Sequence, residues 1–352
     1  MFTLQRYFGL VHPKKEAREQ DDTPRNQLGT TAFAAQDLVF VCIDLEAYEH
    51  DHRKITEVGI AILDTRKLTA PKTSITGSLI APGDGGVVWN NSIQASHLRV
   101  SENFNLVNKS FITGCPENFN FGTTSVLPQA RIKTYLKHVL TTGELPPSNK
   151  TASTRATTPS KPRRIILVGH NLSADLSYLR TLDIPGRTLD NLSMVDNNVD
   201  TQRLASSKKH PIALSRLLMA LDMPHEHLHN AGNDATYTLQ AMVAMTVLDW
   251  LSADQVSRKV AAYREKVASG EIVAPKKKKR YRDLKTDARK GDEGRKKFSS
   301  KRRPKSNAAS GSNGKIESSD PSSSAAGKPE VEIEGKAAED EKKVAHGEKT
   351  PG

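Results

Sequence analysis

Val39–Phe40–Val41–Cys42–Ile43–Asp44–Leu45–Glu46 is an apolar, largely β-branched and aromatic run that closes on two acids one residue apart. Its composition predicts a buried strand over 38–44. Side chains of a strand alternate between faces, so Asp44 and Glu46 share one side while Leu45 points into the core. Downstream, Ile165–Ile166–Leu167–Val168 repeats the pattern. That strand ends at Gly169–His170–Asn171, and Asp175 falls near the first turn of the helix that follows. A third stretch, Leu228–His229–Asn230–Ala231–Gly232–Asn233–Asp234–Ala235, opens a helical run to Leu248. His229 and Asp234 are five positions apart, about 140° around one helix. They can serve a single site only if His229 lies on a loop folded back over the helix start, and Gly232 is the residue expected to permit that fold.

Taken singly, each motif is commonplace, because strand-to-helix turns favour glycine, asparagine and aspartate for capping alone. Three of them in order make Asp44, Glu46, Asp175 and Asp234 candidates to converge from two strand ends and two helix starts. Two bare charges about 4 Å apart repel by roughly 4 kcal/mol at an effective dielectric of about 20. Four carboxylates in one pocket therefore call for cations, and a hard ion such as Mg²⁺ (or Mn²⁺) suits oxygen ligands. Two such ions about 4 Å apart can promote phosphodiester hydrolysis. Histidine has an unperturbed pKa near neutrality, which makes His229 the candidate general base rather than a metal ligand.

The order Asp44-x-Glu46, Asp175, His229-x4-Asp234 resembles the signature of the DEDDh 3′–5′ exonucleases of the ribonuclease H-like superfamily. Three stretches resemble, more closely, the fungal "good for full DEAD-box protein activity" C-terminal domain family: LVFVCIDLEAYEHDHRKITEVGIAILDT, ILVGHNLSADLSYLR and LHNAGNDATYTLQAM. The likeness covers about residues 36–250. It implies an α/β, ribonuclease H-like fold with a mixed five-stranded sheet flanked by helices. It also implies two Mg²⁺ or Mn²⁺ ions held by Asp44, Glu46, Asp175 and Asp234, with His229 orienting or deprotonating the water. Family members often carry aspartate after Gly-His, where this chain has Asn171, a slot that is not a metal position. The family's link to an RNA helicase pathway favours single-stranded RNA over DNA as substrate, with Ala47, Tyr48 and Asn171 as substrate-binding candidates. A non-catalytic adaptor that binds nucleic acid or protein through the same fold is the alternative.

The charge is unevenly distributed. The chain carries a net charge of +12, and residues 254–305 hold about 20 basic against 7 acidic residues. Residues 1–253 are therefore close to neutral. A segment so basic and so poor in apolar residues cannot bury enough surface to fold alone. The expected organisation is a flexible segment over 1–35, a folded domain over 36–253 and a disordered tail over 254–352, basic to 305 and then mixed to acidic. A helical pattern over 256–267 could extend the last helix of the domain. Pro275 and the five cations through Arg280 resemble a nuclear localisation signal, which points to an import receptor as partner and to the nucleus, with the cytoplasm left open. No run reaches the roughly 20 apolar residues of a membrane span, and the N-terminus fits neither a signal nor a transit peptide. Two cysteines, Cys42 and Cys115, support neither a disulfide framework nor a zinc site.

Strands are expected at 38–44, 57–64, 74–80, 165–168 and near 193–196. Helices are expected near 128–140, 175–182, 212–221 and 234–250. The first three strands suggest an antiparallel meander and the later ones parallel pairing. Residues 141–163, rich in Ser, Thr, Pro and Lys, read as a flexible insertion. Residues 82–127 scatter Trp89, His97, Arg99, Phe104, Phe119 and Phe121 through a long connection. They form either a lid that stacks on unpaired bases or a satellite cluster that ties the loop down.

Overall fold

The alternation of β1 (Leu38–Tyr48) sorts the domain into layers. Val39, Val41, Ile43 and Leu45 enter one core cluster, whereas Leu38, Phe40 and Cys42 enter another on the opposite face. On that second face the next two positions are Asp44 and Glu46, so the strand turns from apolar to acidic as it leaves the core. The structure is a computed structural model that describes residues 1–10, 35–74, 78–147, 163–193, 197–206 and 209–273. The chain divides into two units, Met1–Gly291 and Asp292–Gly352. The second unit and the basic run at 275–280 lie outside the described residues.

In chain order the helices are α1 (Phe2–Tyr7), the short α2 (Val87–Asn90), α3 (Gln129–Thr142), α4 (Ser173–Thr181), α5 (Gly186–Ser193), α6 (Thr201–Ala205), α7 (Leu214–Ala220), α8 (Ala231–Leu251) and α9 (Gln255–Ala268). After β1 come the strands β2 (Asp51–Asp64), β3 (Lys72–Thr73), β4 (Leu79–Ala81), β5 (Gln94–Val100), β6 (Thr124–Leu127), β7 (Arg164–Gly169) and β8 (Asn198–Asp200). Six of these strands form one mixed sheet in the order β6-β5-β2-β1-β7-β8. β5, β2 and β1 are an antiparallel meander, while β7 and β8 run parallel to β1. This is the mixed α/β arrangement expected from sequence, with β6 added in parallel at the outer edge of β5. Ile132, Leu136 and Val139 of α3 pack on one face, and Leu239, Met242 and Val243 of α8 on the other.

Several boundaries differ from the sequence reading. The third strand of the sheet is β5, not 74–80, whose described parts belong to a separate β3–β4 ribbon. Its sequence, Gln94-Ala-Ser-His-Leu-Arg-Val100, buries His97 and Arg99 as well as Leu98 and Val100, so apolar alternation alone does not reveal it. The last strand is β8 at 198–200, displaced from 193–196 because α5 runs to Ser193. Residues 1–10 are not a loose segment, since Phe8 is fully buried and stacks on Phe40 (4.9 Å between centroids) and Trp89 (5.3 Å). At the other end α9 packs Val256, Val260 and Tyr263 against α7 and α8, so the folded unit continues beyond 253. Helix α3 runs through Thr142, and Leu145 packs on the core. Arg163 pairs with Asp37 and Asp64. Of the expected 141–163 insertion, only 148–162 lies outside the described residues. In α7, Leu217 and Leu218 are buried in the core with Leu221 just beyond the helix, and Leu214 packs half-buried against them.

Because Phe8 fills the space between Phe40 and Trp89, its removal leaves a cavity under the sheet. Phe8→Ala is expected to lower stability by about 3–5 kcal/mol, the range for truncating a buried aromatic. Chemical denaturation of the full chain checks it; a change under about 1 kcal/mol would show that the N-terminal helix adds nothing to the core.

Candidate active site

Strand β1 extends past β7, whose pairing with it ends at Cys42 opposite Val168. The backbone beyond that point needs other partners. The Leu45 N–H donates to Asp175 Oδ1 at 3.3 Å, which ties the first turn of α4 to the acidic end of β1. The chain reaches α4 through Asn171, which adopts a left-handed backbone (φ 68°) and donates its N–H to Asp200 at 3.0 Å. His170 is occupied by Thr201 (2.9 Å) and the Ile212 carbonyl (2.9 Å), so it is a packing residue at the strand end.

On the opposite side, α8 begins where Gly59 of β2 leaves room for it. Gly59 pairs with Asp44 across the sheet. A Cβ built on Gly59 would lie 1.8 Å from the Ala231 carbonyl oxygen and 2.5 Å from the Gly232 nitrogen. Asn230 caps the helix by accepting from the Asn233 N–H, and Asp234 sits in its first turn. The His229 N–H donates to Asp234 Oδ2 at 3.1 Å, and His229 itself takes the left-handed conformation (φ 68°) that folds the loop back. The sequence reading gave that turn to Gly232. Instead, Gly232 lies inside the helix and supplies closeness, because a Cβ there would meet His97 and Phe119 at 2.7 Å.

The result is a cluster in which ligand atoms of Glu46, His229 and Asp234 all lie within 4.8 Å of one another, with His229 exposed, Glu46 half-buried and Asp234 buried. Asp44 and Asp175 share their field. Burial first, and the Glu57 carboxylate second, push Asp44 up to about 7. Burial followed by Asp44 raises Glu46, Asp175 and Asp234 well above the ordinary carboxylate range. The His229 N–H partly offsets this rise at Asp234. Asp234 Oδ1 is buried and has no hydrogen-bond partner. An acceptor left unmatched in this way, among carboxylates that resist ionisation, fits a divalent-cation site.

Glu57 was missed in the sequence. It stands opposite Glu46 on β2, is buried, and lies between His97 (3.0 Å) and the Ala231 N–H (3.3 Å). His97 is fully buried and is held in turn by Thr124 at 2.9 Å. The only sequence signal was an acid within the otherwise apolar run Ile55–Leu63.

The substrate-binding candidates separate. Ala47 is buried in the same core as Leu45, so its side chain faces away from the cleft; only its carbonyl is used, by Asn108 at 2.8 Å. Tyr48 is half-buried and Asn171 exposed. Of the aromatics expected in 82–127, Trp89 and His97 are buried, Phe119 and Phe121 are half-buried, with Phe121 packed on Tyr237 at 5.3 Å, and Phe104 is exposed. Phe104 lies under the Arg99 guanidinium at 3.8 Å.

Residues 39–245 match the family described as DNA polymerase III subunit epsilon-like, C-terminal domain. The chain belongs to this DEDDh family. It is 28% identical over 218 residues to the uncharacterized protein YDR514C of Saccharomyces cerevisiae, covering 58% of this chain and 40% of that protein. It is 27% identical over 224 residues to the "Good for full DBP5 activity protein 2" of the same yeast, covering 59% and 35%. It is also 27% identical to the uncharacterized nucleolar protein C2C4.08 of Schizosaccharomyces pombe, covering 59% and 68%. The chain thus spans well under half the length of the first two relatives. Among solved structures, exonuclease I is 12% identical with a TM-score of 0.33, covering 65% of this chain and 44% of that one. The exonuclease module of Saccharomyces cerevisiae Pan2 with AAUUAA RNA is 12% identical with a TM-score of 0.35, covering 68% and 34%.

Two outcomes follow from the cluster. Asp44 titrates near 7 when folded and near 3.8 when unfolded, so its burial carries no penalty below about 4 and its full penalty above about 7. The metal-free chain should therefore lose thermal stability as pH rises through that window, and Mn²⁺ should restore more stability at about pH 8 than at about pH 5. An equal response to Mn²⁺ at both pH values would contradict the cluster. Separately, Gly59→Ala must displace the start of α8 by roughly 1.6 Å to move from 1.8 Å to the 3.4 Å of ordinary contact. It should lower stability by about 1–3 kcal/mol, measured by urea denaturation.

Proposed function

We propose that this member of the DEDDh family is a metal-dependent 3′–5′ exonuclease that hydrolyses single-stranded nucleic acid, RNA in preference to DNA. One observation carries the reading: His229 and acids from β1, α4 and α8 meet in a single cleft, and one Asp234 oxygen is left without a partner. Asp44, Glu46, Asp175 and Asp234 would hold two Mg²⁺ or Mn²⁺ ions. Bound there, the ions supply charge neutralisation at the scissile phosphate and make water nucleophilic near neutral pH.

The chain's own residues do the rest. His229 stands exposed at the mouth, on a backbone turn pinned by Asp234, where its ring can accept a proton from the attacking water. Asp175 and Glu57 hold the two walls, one through the Leu45 N–H and the other through the Ala231 N–H. Geometry fixed in this way lowers the entropic part of the barrier. The preference for RNA is supported by the resemblance to the "good for full DEAD-box protein activity" family in the stretches quoted above. A nucleolar relative and the cationic run at 275–280 support a nuclear location reached through an import receptor.

The test uses the full chain with 5′-labelled single-stranded RNA and DNA, with and without Mg²⁺ or Mn²⁺, beside Asp44→Asn. A ladder shortening from the 3′ end is expected, dependent on metal and slowed in the variant by about 100-fold or more, the equivalent of several kcal/mol of charge stabilisation. Binding without shortening on either substrate would favour an adaptor that keeps the fold and not the chemistry.

A further inference from the structure

The C-terminal part of α8 borders a cavity that the acidic cluster does not use. It holds about 670 Å³, the size of sites that take a ligand or a few side chains of a peptide. Gln240, Ala244 and Leu248 line it from α8, spaced four residues apart and so along one face of the helix. That face begins about 9 Å beyond Asp234 along the helix axis and runs for about 12 Å. Val87 and Asn90 of α2 complete the lining together with Met223, which follows α7, and Lys259 of α9.

Three features of this lining are unmatched. Val87 is 56% exposed. Asn90 Oδ1 is buried and has no hydrogen-bond partner, a condition it shares among the described residues with Asp234 Oδ1 alone. Asp84, exposed at the same cavity, forms no ion pair among the described residues, whereas Lys259 is already paired with Asp222 at 2.6 Å. The cavity therefore suits apolar bulk, an N–H donor and a positive charge. An arginine beside large apolar residues offers all three, because its guanidinium carries charge and five donors.

The chain holds such a segment within reach. Helix α9 ends at Ala268, and the chain turns at Gly270 (φ 81°). The Ile272 N–H donates to the Lys266 carbonyl at 3.1 Å, and Ile272 packs on the cluster that also receives Met223 and Leu248. The chain leaving α9 is thus turned toward the helices that line the cavity. The described residues end at Val273, and the first unit of the chain runs on to Gly291. Between 274 and 291, Tyr281 is the only aromatic residue and Leu284 the only large aliphatic one, and Arg280 and Arg282 flank the tyrosine. The stretch from Val273 to Tyr281 spans up to about 26 Å when extended. Lys259 lies only about 14 Å before the end of α9.

We propose that Tyr281 and Leu284 occupy this cavity in the same chain, with a flanking arginine meeting Asp84 and Asn90 Oδ1. The occupant is basic where the lining has an unpaired acid and apolar where it exposes valine. The cations at 275–280 are then tethered at both ends, by α9 and by Tyr281, which restricts how far their charge can reach. The inference is independent of the exonuclease reading, since neither cavity nor segment includes a residue of the acidic cluster.

The test uses the full chain with Tyr281 replaced by the photo-crosslinker p-benzoylphenylalanine, in an equal mixture of light and isotope-labelled copies. Irradiation should join position 281 to Val87, Met223 or Leu248 within one copy. Leu284→Asp, which lies outside the packed domain, and Val87→Glu, at an exposed site, should each lower that yield. In a second measurement, a fluorescent peptide of residues 274–291 is added to the Leu284→Asp chain, whose own segment is disabled. It should bind about 10- to 100-fold more tightly than the same peptide carrying Leu284→Asp, the equivalent of burying one leucine. It should bind the wild-type chain more weakly by a similar factor, because there the cavity is filled. Crosslinks found only between light and labelled copies would overturn the proposal and give the cavity to a second copy. Crosslinks scattered over the surface overturn it, as does a peptide that binds the wild type and the Leu284→Asp chain alike.

Discussion

The close approach of one helix to one strand governs everything at the cleft. Ala231 and Gly232, at the start of α8, lie on the bare backbone of Gly59, directly across the sheet from Asp44. That contact places Asp234 and the His229 loop against the acidic end of β1. On the exonuclease reading proposed above, a displacement of about 1 Å at the reacting centre would cost about two orders of magnitude in rate, so the glycine at position 59 would bear on chemistry as well as packing. The second close contact, Gly232 against His97 of β5 and Phe119 of the connection that follows it, fixes the helix from the other side. α8 is thus wedged between two surfaces that both require a missing side chain.

Bringing the acids together makes a charge problem that the fold solves only in part. Glu46 and Glu57 face each other across a β pair, an unfavourable placement for like charges. Glu57 is compensated from within, by His97 and by an N–H at the positive end of α8. Asp175 and Asp234 each receive one backbone N–H. Asp44 and Glu46 face the cleft, with burial and their neighbours opposing ionisation. The uncompensated charge therefore collects on the open side, where a cation or a substrate can reach it, and the compensated charge lies behind.

The sequence carried the acids and their order because each follows a strong local signal: an apolar strand ending at Asp44, or a capped helix start at Asp234. It concealed the elements whose stability comes from polar groups satisfied at long range. β5 is such a case. His97 and Arg99 are buried and paired with Glu57 and Glu117, so this strand of the central sheet buries polar and apolar positions alike. Phe8 is another, since one aromatic anchors an N-terminal segment whose composition is otherwise that of a tail. The turn at His229 was misplaced for a related reason. Glycine is the usual residue for positive φ, but here the Asp234 carboxylate and Cys115 hold the histidine backbone in that conformation. Ala47 was misassigned although alternation from Leu45 already placed it in the core.

The connection from β5 to β6 bears on how rigidly the acidic cluster and His229 are held. A lid that opens has few bonds to the body it covers, whereas this segment is held at Glu49, Ala47, His229, Asn230 and Asn233. Asn120 adds contacts to Glu226, His227 and Tyr237. Groups held by so many partners open only by local unfolding, a costly route. The surroundings of His229 are therefore set by bonds within the chain. The same bonds that fix the His229 backbone also fix the segment beside it, so the histidine and the acids keep one arrangement unless that whole segment unfolds.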